Sequence, residues 1–145
     1  MTEVSKLWKK LTLEEFAKID GSFLEDFRAP GTANKFVAWD PYEHSTRYLK
    51  FLLYTVATQQ NHEFFDAYKK INNSDCGNPL SVRYSDCDIN ADYLAGVEEW
   101  LFLKTYGGLH KVSSVVEIGA GFGRTCHTLL TLLPRIEEYS IIDLD

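Results

Sequence analysis

The apolar residues of this chain change their period along its length. Up to Tyr106 they recur at helical spacing, whereas from Ser114 onward they form short runs separated by a loop and a helix-like segment. Thr12 followed by Glu15 is a capping-box pattern ahead of Leu13, Phe16 and Ala17, and predicts a short amphipathic helix there. Asp40-Pro41 with Glu43 is a stronger start, because Asp can cap, Pro is tolerated at the first helical position and Glu43 can reach back. A helix is therefore expected from about Pro41 to Thr58. Tyr48, Leu49, Leu52, Leu53, Val56 and Ala57 fall on one broad face, which marks this helix as central to the N-terminal region. Asn61 restarts a shorter helix through His62 to Ile71, and the turn-rich stretch from Asn72 to Pro79 ends it. Leu80 to Tyr84 is expected to be extended. From Asp88 or Asn90 a further helix runs to Tyr106 and stops at Gly107-Gly108, a glycine C-cap signal.

Beyond Val112 the pattern is strand, loop, helix, strand. Ser114 to Ile118 is a short apolar run, Arg124 to Leu133 is helical and stops at Pro134, and Tyr139 to Leu144 is a second apolar run. The fold class is α/β: a helical N-terminal region over residues 1–111, then the opening β-α-β of a second domain over residues 112–145. Two parallel strands make an incomplete sheet, with Val115, Val116 and Ile118 on an unpaired edge. The expectation is the truncated N-terminal part of a longer protein, with the outer face of the Arg124 to Leu133 helix uncovered. Such a chain is expected to be marginally stable or self-associating, a possible homo-oligomer.

The loop between strand and helix, in VVEIGAGFGRTCHTLL, places glycine at every second position, Gly119, Gly121 and Gly123. A strand that turns directly into a helix leaves the first helical N–H groups unpaired, and the helix dipole adds partial positive charge there. A ligand can approach only where Cβ atoms are absent. Gly119 and Gly121 would allow the tight turn and the close approach, and Gly123 would let the helix pack against the strand. Asp143 ends the second apolar run, where an acid can accept hydrogen bonds from ribose hydroxyls. Loop and acid together describe an adenosine-bearing ligand. The dinucleotide fingerprint asks for glycine or alanine at its last position, and here Arg124 stands there.

The run Glu117-Ile118-Gly119-Ala120-Gly121-Phe122-Gly123 instead resembles the E/D-x-G-x-G-x-G first motif of class I S-adenosylmethionine-dependent methyltransferases. The resemblance implies a Rossmann-like domain whose loop wraps the methionine portion of the cofactor. The acid at the start of the loop helps hold it through nearby backbone and water, and the acid after the second strand binds the ribose. Those roles fall on Glu117, Gly119, Ala120, Gly121, Phe122, Gly123 and Asp143. With EIGAGFGRTCHTLL followed by YSIIDLD, the chain is similar more narrowly to the bacterial sugar O-methyltransferases, which pair such a loop with an aromatic-rich helical N-terminal extension. That likeness implies methyl transfer from S-adenosyl-L-methionine to a hydroxyl of a small-molecule acceptor, a sugar or glycan precursor. Acceptor-binding and base residues of such enzymes commonly follow the second strand, so no catalytic residue is assigned and the chain alone is expected to be inactive. Two alternatives stand beside this reading: a nicotinamide-dependent oxidoreductase, and a non-catalytic helical interaction module carrying a degenerate cofactor loop.

Bulk composition narrows the field further. At 145 residues and 45% hydrophobic the chain can bury an ordinary globular core. A net charge of -6 without a basic cluster argues against nucleic acid as a partner. The N-terminal residues lack a signal-type apolar segment, and no stretch has the apolar length of a membrane span, which fits a soluble cytoplasmic protein. Cys76, Cys87 and Cys126 are widely spaced and suit free thiols in a reducing compartment, with no metal site indicated.

The alternating acids Asp86, Asp88 and Asp92 with Asn90 look like the start of a calcium loop, but Ala91 and Val97 occupy the glycine and glutamate positions that loop requires. Asp86-Cys87-Asp88 is read as N-terminal capping rather than as a metal-binding D-x-D pair. His44, His62, His110 and His127 are scattered, and His127, one turn past Gly123, is read as a packing or capping residue. The aromatics Phe36, Trp39, Tyr42, Tyr48, Phe51, Tyr54, Phe64, Phe65 and Tyr68 are read mostly as core.

Overall fold

The computed structural model describes residues 6–14, 21–28, 46–72 and 75–143. They form a mixed α/β arrangement. Helix α1 spans Lys6–Glu14 and α2 spans Phe23–Asp26; α3 follows at Thr46–Thr58 and α4 at His62–Tyr68. A hairpin of β1 (Ser81–Tyr84) and β2 (Cys87–Asn90) leads into the long helix α5 (Ala91–Tyr106). A 3-10 turn at Leu109–Lys111 then precedes β3 (Ser114–Ile118), α6 (Arg124–Leu132) and β4 (Glu138–Ile142).

Local chemistry explains most boundaries, and corrects some expected ones. Thr12 lies inside α1 and so cannot open a helix there; Glu15, Phe16 and Ala17, like Asp40 to Glu43, lie outside the described residues. Asn61 caps α4 as expected, its side-chain oxygen accepting from the Phe64 N–H at 3.0 Å. Asn90 does the same for α5 through the Tyr93 N–H. Asp86 and Asp88 therefore cap nothing. Ser85 and Asp86 form the two-residue turn of the hairpin, both with positive φ (50° and 61°), a conformation Asp tolerates through its short polar side chain. Asp88 sits on β2 and pairs with Arg83 across the ladder at 2.7 Å. Gly107 and Gly108, the latter at φ 61°, end α5 where the glycine signal placed its stop.

The broad face expected on α3 is narrower in the structure. Leu49, Leu53 and Ala57 are buried at intervals of one turn against the hairpin, while Tyr48 (52%), Leu52 (38%) and Val56 (37%) remain exposed. A two-stranded hairpin is only about 5 Å from strand to strand, so it covers one ridge of a helix and not two. Phe51 and Tyr54 are also exposed, whereas Phe64, Phe65 and Tyr68 on α4 are core. The central helix is α5: it packs on α4 and β2 and on α6, and buries Tyr93, Leu94, Gly96, Val97 and Trp100. Close approach of α6 depends on Gly96, where an added Cβ would stand 2.8 Å from the buried Thr128 hydroxyl. One hydrophobic cluster runs from Leu53 on α3 to Leu129 on α6.

The second sheet is parallel, with Ser114 opposite Glu138 and Ile118 opposite Ile142, and α6 crosses between its strands. Strand alternation turns Val115 and Glu117 inward and Val116 and Ile118 outward. Helix α6 covers the inner face and buries Thr128 and Leu129, with Leu130 left exposed on its outer side. The bare surface also includes the other sheet face, where Val116 is 60% exposed, Ile118 80% and Ile142 57%. Among the described residues no helix is long and apolar enough to cross a membrane.

Candidate functional site

The ladder of the parallel sheet ends where the glycine loop begins. Gly119, one residue past β3, donates its N–H to the carbonyl of Ile142, the last residue of β4, at 2.9 Å, and adopts φ 73°. Gly121 (φ 57°) and Gly123 (φ 84°) repeat the left-handed conformation, which a side chain at these positions would oppose. Gly123 donates to the Ala120 carbonyl at 2.9 Å and its own carbonyl accepts from the His127 N–H, so α6 starts at Gly123 with no side chain capping it. The first N–H groups of α6 thus face the loop without a side-chain acceptor.

The glycines serve conformation and space more than packing. Among the described residues, a Cβ built at Gly119 or Gly123 meets no atom within 4 Å. The expectation that Gly123 lets the helix pack on the strand is corrected here: its left-handed φ, not a close neighbour, excludes a side chain. Asp143, exposed at the end of β4, accepts a hydrogen bond from the Gly121 N–H through Oδ2 at 3.3 Å. Parallel register brings this about, since the residue after Ile142 must come level with the loop that follows Ile118.

The other two side chains expected to join them turn elsewhere. Glu117 accepts from the Tyr139 hydroxyl at 2.9 Å on the inner face of the sheet. Burial, then the hydrogen bond and charge of Glu117, push the Tyr139 phenol well above its ordinary range, so it remains a neutral donor. The Phe122 ring packs edge-on against Phe27 (5.4 Å between centroids) and against Tyr93 of α5 (6.5 Å). The Glu117 backbone belongs to the β3 ladder, and only the backbone of Phe122 lies in the loop. Ala120 is half-buried and contributes its carbonyl to the turn.

Beneath the loop lies a polar junction that no local motif announces. Arg28 is buried, donating to Asp92 Oδ2 (2.9 Å from Nε), the Cys76 carbonyl (2.8 Å) and Asn90 Oδ1 (2.7 Å). Asn90 therefore accepts from both the helix backbone and a guanidinium. Tyr93 bonds His127 Nδ1 through its hydroxyl at 2.7 Å, and the two rings meet edge to face at 5.6 Å between centroids. Arg124 donates to Glu99 at 2.7 Å and Thr125 to the same carboxylate at 3.3 Å, fastening the start of α6 to α5. His62 and His110 are exposed, and His44 lies outside the described residues.

A cavity of about 570 Å³ opens elsewhere, between the end of α4 and the first hairpin, lined by Tyr68, Lys69, Arg83, Asp86, Cys87 and Asp88 among others. None of its lining residues belongs to the glycine loop, and its charges are of both signs. Among the described residues no group of three His, Cys, Asp or Glu side chains is placed to hold a metal ion.

Cys76, Cys87 and Cys126 are free thiols. Burial pushes the thiols of Cys87 and Cys126 up, with Glu117 adding to the effect at Cys126, whereas Cys76 is exposed. Iodoacetamide at pH 8 is expected to modify Cys76 first, with the other two at least about tenfold slower. Peptide mass spectrometry over a time course checks the order.

Comparison of the chain with family models, with curated proteins and with solved structures returns no match.

Proposed function

We propose that the loop from Gly119 to Gly123, together with Asp143, binds S-adenosyl-L-methionine, and that the protein is an S-adenosylmethionine-dependent O-methyltransferase acting on a hydroxyl of a sugar or glycan precursor. In this reading β3, α6 and β4 open a Rossmann-like domain. The observation that carries it is the Asp143 carboxylate held 3.3 Å from the Gly121 amide, at the carboxyl end of two parallel strands and beside an uncapped helix start. Crevices at that end of a parallel sheet are where such folds take nucleotide ligands.

The residues divide the work by position. Free amides at the start of α6 suit the negatively charged end of an amino-acid moiety. A carboxylate has about four lone-pair directions, so Asp143 can keep the Gly121 amide and still accept from two ribose hydroxyls. Glu117 acts from below, holding Tyr139 and with it the spacing of β3 and β4 just before the loop. Arg124, which occupies the last position of the dinucleotide fingerprint, is drawn onto α5 by Glu99, and this supports the sulfonium cofactor over a nicotinamide one. The bound cofactor supplies an electrophilic methyl group on sulfonium sulfur, and the protein's part is to orient it in line with the acceptor oxygen.

Calorimetry is expected to show binding of S-adenosylmethionine or its demethylated product, and no binding of NADH. Tight NADH binding with no response to either sulfur compound would overturn the reading.

A further inference from the structure

We infer that Arg28 is a positioning residue for the glycine loop, acting through the ring of Phe122. The loop is short of side chains that could fix it. Between Gly119 and Gly123 only Ala120 and Phe122 carry any, and only the Phe122 ring reaches a neighbouring element by an aromatic contact. Glycine on either side of Phe122 leaves the backbone with more conformations to lose than any other residue pair would. Whatever holds the ring therefore selects the loop conformation.

What holds it is a cation locked in its own plane. The Arg28 side chain is 1% exposed, and all three of its nitrogens donate at its edge: to Asp92, to Asn90 and to the Cys76 carbonyl. Asn90 and Asp92 are the cap and first turn of α5, so the guanidinium is registered to the central helix. With its edge engaged, the group meets the aromatic rings: its carbon lies 5.0 Å from the centroid of Phe122 and 5.3 Å from that of Tyr93. Phe27 closes the other approach to Phe122, and is itself seated on Gly77, where an added Cβ would stand 2.4 Å from the ring. The Arg28 N–H donates to the Gly77 carbonyl at 2.8 Å, so the segment of Phe27 and Arg28 is latched from both sides. A residue far upstream thus pre-organises the loop amides that the proposed function uses, which lowers the ordering cost of any ligand bound there.

The test has one arm that needs no ligand. Amide hydrogen exchange is measured at Gly119, Gly121 and Gly123, each hydrogen-bonded in the structure, in the native protein and in Phe122→Leu, Phe122→Tyr and Phe102→Leu. The last removes an exposed ring on α5 and is the control. Loop exchange is expected to accelerate about fivefold or more in Phe122→Leu, and to be unchanged in the tyrosine variant and the control. Amides in the middle of α5 and α6 are expected to keep their rates. Unchanged loop exchange, or an equal rise in the helix amides, would overturn the inference. If leucine prevents folding, Phe122→Met, whose flexible chain fills the same space without a ring, gives the same reading. The second arm rests on the proposed function: the affinity for S-adenosylhomocysteine should fall by a similar factor in Phe122→Leu and be retained in Phe122→Tyr. Absence of binding by the native protein would sink the cofactor reading and leave the exchange result standing.

Discussion

Replacing Asp143 by alanine is expected to weaken binding of S-adenosylmethionine by roughly ten- to a hundred-fold, the loss of about 1.5 to 3 kcal/mol from a charged acceptor. The fold should be nearly indifferent to the change, because Asp143 is exposed at the end of β4, where water can solvate the groups it leaves. Asp143→Asn separates two contributions. The amide oxygen can still accept from Gly121, so the loop stays in place, but the charge is gone and one acceptor position has become a donor. An intermediate loss for asparagine is expected. Glu138→Ala, at the exposed start of the same strand, is the matched control and should leave affinity unchanged. Glycine substitutions would be less informative, since left-handed φ values at Gly119, Gly121 and Gly123 mean that any side chain disturbs conformation and ligand together. Calorimetric titration of the three variants checks the order.

The largest effect on stability is expected at Arg28. Its ion pair with Asp92 has side chains 1% and 14% exposed, so truncation to alanine leaves a carboxylate, an amide oxygen and a carbonyl without their shared donor. Breaking such a pair costs about 3 to 5 kcal/mol, a large part of the roughly 5 to 15 kcal/mol that holds an ordinary domain together. The contrast is Arg83, whose pair with Asp88 has side chains 64% and 59% exposed. Arg83→Ala should change stability by less than about 1 kcal/mol, because water already solvates both partners. Urea unfolding of the two variants measures the difference; comparable losses would mean that the Arg28 junction is far wetter than its burial indicates.

These two positions also show what a single sequence reveals. The strand, loop, helix, strand segment was legible because its signals are local: an apolar run, glycines where φ must be positive, a proline after the helix and an acid at the strand end. The parallel register that places Asp143 beside Gly121 then follows from chain connectivity. Arg28 was not legible, because its partners lie 48 to 64 residues away and nothing in its own neighbourhood marks it as buried. The hairpin of β1 and β2 was half legible. Ser85-Asp86 lacks the glycine that usually marks such a turn, so the sequence offers Asp86 and Asp88 as caps of the following helix, a part that Asn90 takes. Glu117 shows a different limit. The motif places an acid at the loop, yet strand alternation points the side chain inward to Tyr139, and only the backbone after it reaches the site.

The most direct test of the central claim is a map of amide chemical shifts during titration with S-adenosylhomocysteine. The account predicts that the amides of Gly119 to Gly123, of Arg124 and Thr125 at the start of α6, and of Asp143 move together and saturate with one affinity, while Tyr68, Lys69 and Arg83 around the separate cavity stay still. Shifts confined to that cavity, or loop shifts produced by NADH and not by the sulfur compound, would contradict it.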